Sequence, residues 1–304
     1  MKRIQLRPAM RLAIRLVSGI CGLHGITAYA ATPLVIVAAE DVYGNMARSL
    51  GGSHVSVTSI LTNPDQDPHL FEISPSIARA VAGAAIVVSN GIGYDPWMAT
   101  LIAASSAQGK PARSVLVVAD LIGRHAGDNP HLWYDPITMP AYARGLSALL
   151  ARRDPANTAD YAVRLDHVLA AVAPVAVRAA ALKSRYAGTP VTATEPVFGN
   201  MASALGLDMH NQRFQLAVMN DTEPAVSDVV LMEQDLRQRR VRLLFFNSQA
   251  TNSAARRLET VARQAGIPVV GVTETEPHDQ DYTQWMLAEL DAVDHALDHP
   301  PGHP

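Results

Sequence analysis

Short apolar runs alternate with amphipathic stretches along most of the chain. Runs of four to seven residues rich in valine, isoleucine and alanine are bounded by glycine, proline or charged residues, which is typical of buried strands. Between them, apolar residues recur every three to four positions, which predicts helices. Strands separated by helices of about ten residues indicate βαβ units and a mainly parallel α/β fold. We predict strands at residues 34–38, 55–61, 85–89, 115–118, 190–194, 214–218, 241–247 and 268–272.

One stretch breaks this alternation. Residues 154–186 contain almost no turn-forming residue except Pro174, and their composition predicts one long helix, kinked near the proline. The alternation restarts after Gly188. We therefore predict two α/β lobes with mainly parallel sheets, bridged by one long helix. The predicted boundaries are residues 31–153 for the N-terminal lobe, 154–187 for the linking helix, 188–298 for the C-terminal lobe and 299–304 for a tail.

The first 30 residues have the pattern of a secretory signal peptide. A basic stretch precedes an apolar run at residues 16–26, and Ala28-Tyr29-Ala30 supplies small residues at a cleavage site. The apolar run is shorter than a permanent transmembrane helix requires. The sequence therefore predicts a periplasmic protein from which residues 1–30 are cleaved. The only cysteine, Cys21, lies in this segment, and the alternative that it carries a lipid anchor stays open.

Composition limits both the partners and the chemistry. A hydrophobic content of 48% with 17% charged residues is typical of a folded globular protein. A formal net charge of −3 gives no electrostatic basis for binding nucleic acid. Without the signal peptide the chain has no cysteine, so it can form neither a disulfide nor a thiolate ligand. Any bound metal must therefore be held by histidine, aspartate or glutamate.

Two loops present a histidine on a backbone stiffened by proline. Both contain proline, histidine, leucine and an aromatic residue in succession, with His69 in one loop and His131 in the other. The proline fixes its own φ and restricts the residue before it, so the histidine loses less entropy on binding. Both loops follow predicted strands, where open α/β sheets bind ligands. Either histidine alone could simply be packed in a structured loop, but the pair indicates two parts of one site.

Carboxylates occupy comparable positions in the second lobe. Glu195 precedes Pro196 at the end of one predicted strand, and Glu276 precedes Pro277 after another, with Glu274 two residues earlier. A single glutamate at such a position is usually a solvated loop charge. Together with the two histidine loops, these segments indicate one site built from both lobes.

These segments resemble the ligand motifs of the periplasmic metal-binding proteins of ABC importers for zinc and manganese, the cluster A-I solute-binding proteins. Residues 67–72 and 129–136 look like the two first-lobe motifs, and residues 195–200 look like the third. The resemblance extends from residue 35 to the last predicted helix. The family usually has an aspartate at the fourth ligand position, so this chain departs from it there and Glu274 stays open as an alternative. The resemblance implies the metal ligands His69, His131, Glu195 and Glu276.

The resemblance also implies a fold and a function. It implies two α/β lobes joined by a rigid helix with the metal in the cleft. The function implied is that of a monomeric binding protein, not an enzyme, which captures zinc or manganese and delivers it to an ABC permease. The metal would be the transported ligand, and no organic cofactor is expected. Which metal is carried stays open, because two imidazoles and two carboxylates suit either ion.

Two functions of other classes stay open on the residues alone. A metal-dependent hydrolase could use the same His/Glu cluster, although the chain has neither an HExxH nor a Gly-x-Ser-x-Gly motif. A surface adhesin or scaffold could bind metal for structure alone. Among supporting residues, Asp135 and Glu72 are candidates for orienting the imidazoles, and residues 247–249 lie at another strand end. The histidines of the C-terminal segment could collect metal only weakly: His295, His299 and His303.

Overall fold

The computed structural model describes residues 32–65, 68, 71–106, 113–249 and 253–299. The predicted signal peptide with Cys21, the ligand candidate His69, and the end of the tail with His303 lie outside the described residues. The strands are β1 (Leu34–Glu40), β2 (Val55–Leu61), β3 (Ile86–Ser89), β4 (Ser114–Val117), β5 (Pro190–Ala193), β6 (Asp208–Met209), β7 (Leu244–Asn247) and β8 (Val269–Val272). The helices are α1 (Asp41–Gly51), α2 (Pro75–Gly83), α3 (Pro96–Ser106), α4 (Val118–Leu121), α5 (Thr138–Arg153), α6 (Thr158–Tyr186), α7 (Gly199–Ala204), α8 (Gln212–Met219), α9 (Val226–Arg237), α10 (Ser253–Gln264) and α11 (Tyr282–Asp298).

Two four-stranded sheets have the same strand order. The first runs β2-β1-β3-β4 and the second β6-β5-β7-β8, and every strand pairing is parallel. The strand order therefore reverses between β1 and β3 in one sheet and between β5 and β7 in the other. Ligands of open α/β sheets bind beyond the carboxyl ends of the strands at such a reversal. The predicted architecture of two parallel-sheet lobes is confirmed.

The elements form where local sequence signals place them. The β3 residues are all buried, as in a strand covered on both faces. At the start of α2, the Ser74 hydroxyl accepts a hydrogen bond from the backbone nitrogen of Ile77 at 3.4 Å, ahead of a proline in the first turn. At the start of α11, Asp281 and Gln284 form a capping box. These caps fix the direction in which each helix leaves its loop.

The long helix α6 runs between the two lobes, as predicted, and continues through Pro174 as one element. By length and composition alone it could cross a membrane, a test that the core helix of a soluble protein also passes. In this protein its buried side, which includes Tyr161 and Leu182, packs against α1, α5 and α11. Ion pairs fasten it to α11 as well, with Arg178 Nη2 lying 2.8 Å from Asp294 Oδ2. These contacts therefore hold the helix in place against other helices of the fold.

One hydrophobic core extends through both lobes. It joins Ile36 of the first sheet, Trp133 of the predicted ligand loop, Leu182 of α6, Phe198 beside α7 and Trp285 of α11, all of which are buried. Two smaller clusters lie on the outer faces of the two sheets. Because the main core is continuous, the loops at the inner edges of both sheets are supported by the same packed interior.

Two parts of the chain fold differently from the sequence prediction. The strand predicted at residues 214–218 is wrong, because these residues lie in α8. Phe214 and Val218 are four positions apart and both buried, which is the spacing of one helix face, and a short apolar run does not distinguish the two structures. The second sheet instead takes the two-residue strand β6. Helix α5 was not predicted at all.

Candidate metal centre

His131 is held in place by its own loop. Its backbone nitrogen and its ring Nδ1 both donate to Asn129 Oδ1, at 3.0 and 2.8 Å. Its carbonyl accepts from Asn200 Nδ2 of the second lobe at 2.9 Å. The carbonyl of Pro130 accepts from Asn90 Nδ2, which follows β3, at 2.9 Å. The imidazole is fully buried, so its orientation is fixed by hydrogen bonds on both sides of the loop.

The second ring nitrogen of His131, Nε2, faces a carboxylate of the other lobe. Nε2 lies 3.2 Å from Oε2 of Glu274, and both side chains are fully buried. Because Nδ1 donates to Asn129, Nε2 is the nitrogen that can offer a lone pair. An unprotonated imidazole nitrogen and a carboxylate oxygen both carry lone pairs, so this arrangement can hold a divalent cation between the two atoms.

Glu274 follows β8 and is bound by side chains from both lobes. Its Oε1 accepts from Asn247 Nδ2 at 2.7 Å, and its Oε2 accepts from the Tyr94 hydroxyl at 3.1 Å. Its backbone nitrogen donates to the side-chain oxygen of Gln249. Asn247 and Gln249 belong to the strand end that was a candidate for support, and both contact Glu274.

Glu195 follows β5 by two residues and is buried. The preceding Thr194 accepts from the backbone nitrogen of Asn247 at 3.1 Å. The following Pro196 accepts from Asn129 Nδ2 at 2.6 Å, across the gap between the lobes. The loop of Glu195 is therefore joined on one side to the support of Glu274 and on the other to the support of His131.

Glu276 faces a different part of the protein. Its Oε1 accepts from Asn45 Nδ2 of α1 at 2.8 Å, and it lines a cavity of about 210 Å³ together with Asp41 and Arg48. Burial is the main reason that the pKa of Glu276 is raised to about 7. The chain leaves β8 at Val272 and bends at residues 274–275, so the strand alternation that would place Glu274 and Glu276 on one face does not hold. The described contacts favour Glu274 for the fourth position.

The loop of His69 can be described only through its neighbours. The backbone nitrogen of Phe71 donates to the carbonyl of Pro68 at 3.3 Å, and the Phe71 ring packs on Trp97 with centroids 4.6 Å apart. Pro68 and Phe71 also line a cavity of about 110 Å³ with Thr275, the residue after Glu274. Within the described residues, no group of three or more His, Cys, Asp or Glu side chains is gathered as a metal site.

Of the two predicted supporting residues, Asp135 has another role, and Glu72 stays a prediction because His69 of its loop lies outside the described residues. Asp135 accepts from Arg124 Nη2 at 2.7 Å, and Asn129 orients His131 in its place. Glu72 is exposed. The sequence signal for Asn129 was its position two residues before the histidine, since Asn side chains commonly bond to the backbone two residues on. Tyr94 gave no comparable signal.

A cavity of about 790 Å³ lies beside the buried ligands, between loops of the two lobes. Its walls include Tyr94 and Asn129 from the first lobe and Pro196 and Asn200 from the second. Each of these four residues also contacts the segments of His131, Glu195 or Glu274 described above. The cavity therefore adjoins residues that contact the candidate centre, although His131, Glu195 and Glu274 do not line it.

Comparison with known proteins bears on the family and on the fold. The model of the family described as "Zinc-uptake complex component A periplasmic" matches residues 36–296. A Thermotoga maritima protein whose name describes it as metal-binding is 26% identical over 177 residues, 57% of this chain but only 62% of the relative, less than two thirds of its length. The manganese ABC transporter substrate-binding lipoprotein PsaA of Streptococcus anginosus is 21% identical over 285 residues, 87% of this chain and 89% of the relative. The fold is similar to that of the periplasmic zinc-binding protein TroA from Treponema pallidum, with a TM-score of 0.70 and 16% identity over 88% of this chain and 99% of that one.

Proposed function

Since the chain belongs to the family of periplasmic zinc-uptake complex component A proteins, we propose that it captures zinc or manganese outside the inner membrane and delivers the ion to an ABC permease. The relatives named as ABC transporter substrate-binding lipoproteins of manganese or other metals support this role. The ion is the cargo of the protein, and the permease is its partner.

The observation that carries the proposal is the contact between His131 Nε2 and Glu274 Oε2 at 3.2 Å. It joins the loop after β4 and α4 of the first lobe to the loop after β8 of the second, and both groups are buried with their other polar atoms hydrogen-bonded. Imidazole nitrogen and carboxylate oxygen are suitable donors for zinc and manganese. We infer the ligand set His69, His131, Glu195 and Glu274, with Glu274 in the place first assigned to Glu276.

This donor set suits capture better than catalysis. Four protein ligands fill a tetrahedral zinc site and leave no dedicated position for a reacting water, whereas catalytic zinc sites keep one position open. The family is one of solute-binding proteins, and nothing in the comparisons supports a hydrolase. We infer that the protein is not an enzyme.

The proposed location and assembly follow from the same role. We propose that residues 1–30 direct export and are cleaved, so that the folded chain acts in the periplasm. A net charge of −3 supports a protein that does not bind nucleic acid. We infer that the protein works as a monomer that docks on its permease.

Two experiments test the proposal together. Calorimetric titration of the metal-free protein with zinc and with manganese should give one tight site per chain. Deletion of the gene should impair growth in metal-poor medium, and added metal should restore it. A protein that binds neither ion, or a deletion strain that grows normally without metal, would contradict the proposed function.

A further inference from the structure

Tyr94 brings a hydroxyl from the first lobe to the candidate centre. It follows β3 through a turn in which Gly91 and Gly93 both have positive φ. Its buried ring packs edge-on against His131 and Trp133, with centroids 5.7 and 5.0 Å apart. Its hydroxyl donates to Glu274 Oε2 at 3.1 Å. The phenol is the donor in this contact, because an ionised carboxylate can only accept.

Tyr94 and Asn247 donate to different oxygens of Glu274 and come from different lobes. Asn247, at the end of β7, binds Oε1 at 2.7 Å, whereas Tyr94 binds Oε2. The oxygen that meets His131 Nε2 is also Oε2. A cation bound to Nε2 would therefore meet Oε2 first, while Oε1 is turned toward the Asn247 amide.

The last torsion of a glutamate side chain is soft and is usually fixed by hydrogen bonds and not by rotamer preference. With Asn247 on one oxygen and Tyr94 on the other, this torsion is fixed in Glu274. If the phenol is removed, one of these two hydrogen bonds is lost and the bond from Asn247 to Oε1 remains. The carboxylate can then rotate more easily and bring both oxygens toward the same cation.

We propose that Tyr94 is a positioning residue that makes Glu274 bind the cargo ion through Oε2 alone, and that this one-oxygen binding favours zinc over manganese. The inference rests on the proposed function and on Glu274 as a ligand. Zinc is satisfied by four donors in a tetrahedron, whereas manganese is found with six mostly oxygen donors. Restricting Glu274 to one oxygen keeps the number of donors low and so disfavours manganese.

The test is the variant Tyr94→Phe, which removes the hydroxyl and keeps the ring packed on His131 and Trp133. The matched control is Tyr142→Phe, which removes another buried first-lobe hydroxyl, one that donates to the carbonyl of Tyr43 at 3.0 Å. Zinc and manganese affinities of the full mature chain are measured by competition titration. Cobalt is used as a spectroscopic probe, because its visible absorption weakens as its coordination number rises. Thermal melting of the metal-free proteins shows whether each variant is folded.

We expect Tyr94→Phe to bind zinc about tenfold more weakly, the lower end of the usual effect of losing a residue that orients a ligand. Manganese affinity should change less, so the zinc-to-manganese ratio falls, and the cobalt absorption should weaken. Tyr142→Phe should keep both the ratio and the spectrum. An unchanged ratio and cobalt spectrum in a folded Tyr94→Phe protein would overturn the inference.

A third variant separates this inference from the proposed function. Glu274→Gln should lose affinity for both ions whatever Tyr94 does. If Glu274→Gln binds both ions like the parent, Glu274 is not a ligand and Tyr94 cannot act through it. If the parent protein itself binds neither ion, the proposed function fails first.

Discussion

Exchanging one carboxylate at a time for its amide distinguishes the two candidates for the fourth ligand. Glu274→Gln keeps the shape of the side chain and can still accept from Asn247, but it removes the charge that faces His131. Glu276→Gln keeps the acceptor for Asn45 and removes a charge that contacts none of the other candidate ligands in the described part of the chain. The two variants are therefore matched in chemistry and differ in the contacts that are lost.

The expected magnitude follows from the number of ligands. Structural zinc sites bind with about 10–16 kcal/mol, so an equal share for one of four ligands is about 2.5–4 kcal/mol. At about 1.4 kcal/mol for each factor of ten, Glu274→Gln should weaken zinc binding by about 100- to 1,000-fold. For Glu276→Gln we expect no more than about a threefold change, since it leaves the buried pair intact.

The assay is competition titration with a chelator of known zinc affinity, at one pH and one ionic strength for all proteins. Circular dichroism of the metal-free variants controls for folding. If Glu276→Gln loses more affinity than Glu274→Gln while both stay folded, contacts in the metal-free protein do not identify the ligand, and the earlier assignment of Glu276 is restored.

Three further predictions test the supports of the site and of the fold. Asn129→Ala should weaken zinc binding by about 10- to 100-fold in the same titration, because His131 loses the partner of its Nδ1; unchanged affinity would show that the loop alone orients the ring. Metal binding should release protons, because a cation and a proton compete for the same donor atoms of histidine and glutamate, and a calorimetric enthalpy that does not depend on the buffer would contradict this. Burial raises the pKa of Glu289 to about 8 from its ordinary 4.5, so between these two pH values the folded state holds a proton that the unfolded state has lost. The free energy of unfolding should therefore fall by up to about 1.4 kcal/mol for each unit that the pH rises within this range. Urea unfolding of Glu289→Gln should show a flatter pH dependence than the parent, and equal slopes would rule out Glu289 as the cause.

The sequence was sufficient for the architecture because the strong signals are local. Buried apolar runs, a proline at the start of α2 and the unbroken stretch of α6 each depend on a few neighbouring residues. The strand prediction for residues 214–218 failed because a five-residue run with four apolar residues fits a strand and one helix face equally well. Only the packing of Phe214 against the outer core decides between them.

Part of the candidate site was also predictable, because some of its signals are local. Proline marks the loops of His131 and Glu195, so the sequence shows where a rigid side chain follows a strand. It does not show how the chain turns after β8, and the bend at residues 274–275 is what directs Glu274 to His131 and Glu276 to Asn45. The role of Tyr94 depends on a contact between the lobes, made by two residues that are 180 positions apart in sequence, and no local pattern reveals such a contact.

The most direct test of the account is the position of the bound ion. Diffraction data collected at the zinc absorption edge from crystals of the zinc-loaded protein locate the metal by its anomalous signal. We predict a single peak about 2.0–2.2 Å from His131 Nε2 and from Glu274 Oε2, with Glu195 and His69 completing the site. A peak bound by Glu276 and not by Glu274, or a zinc ion away from His131, would contradict the account.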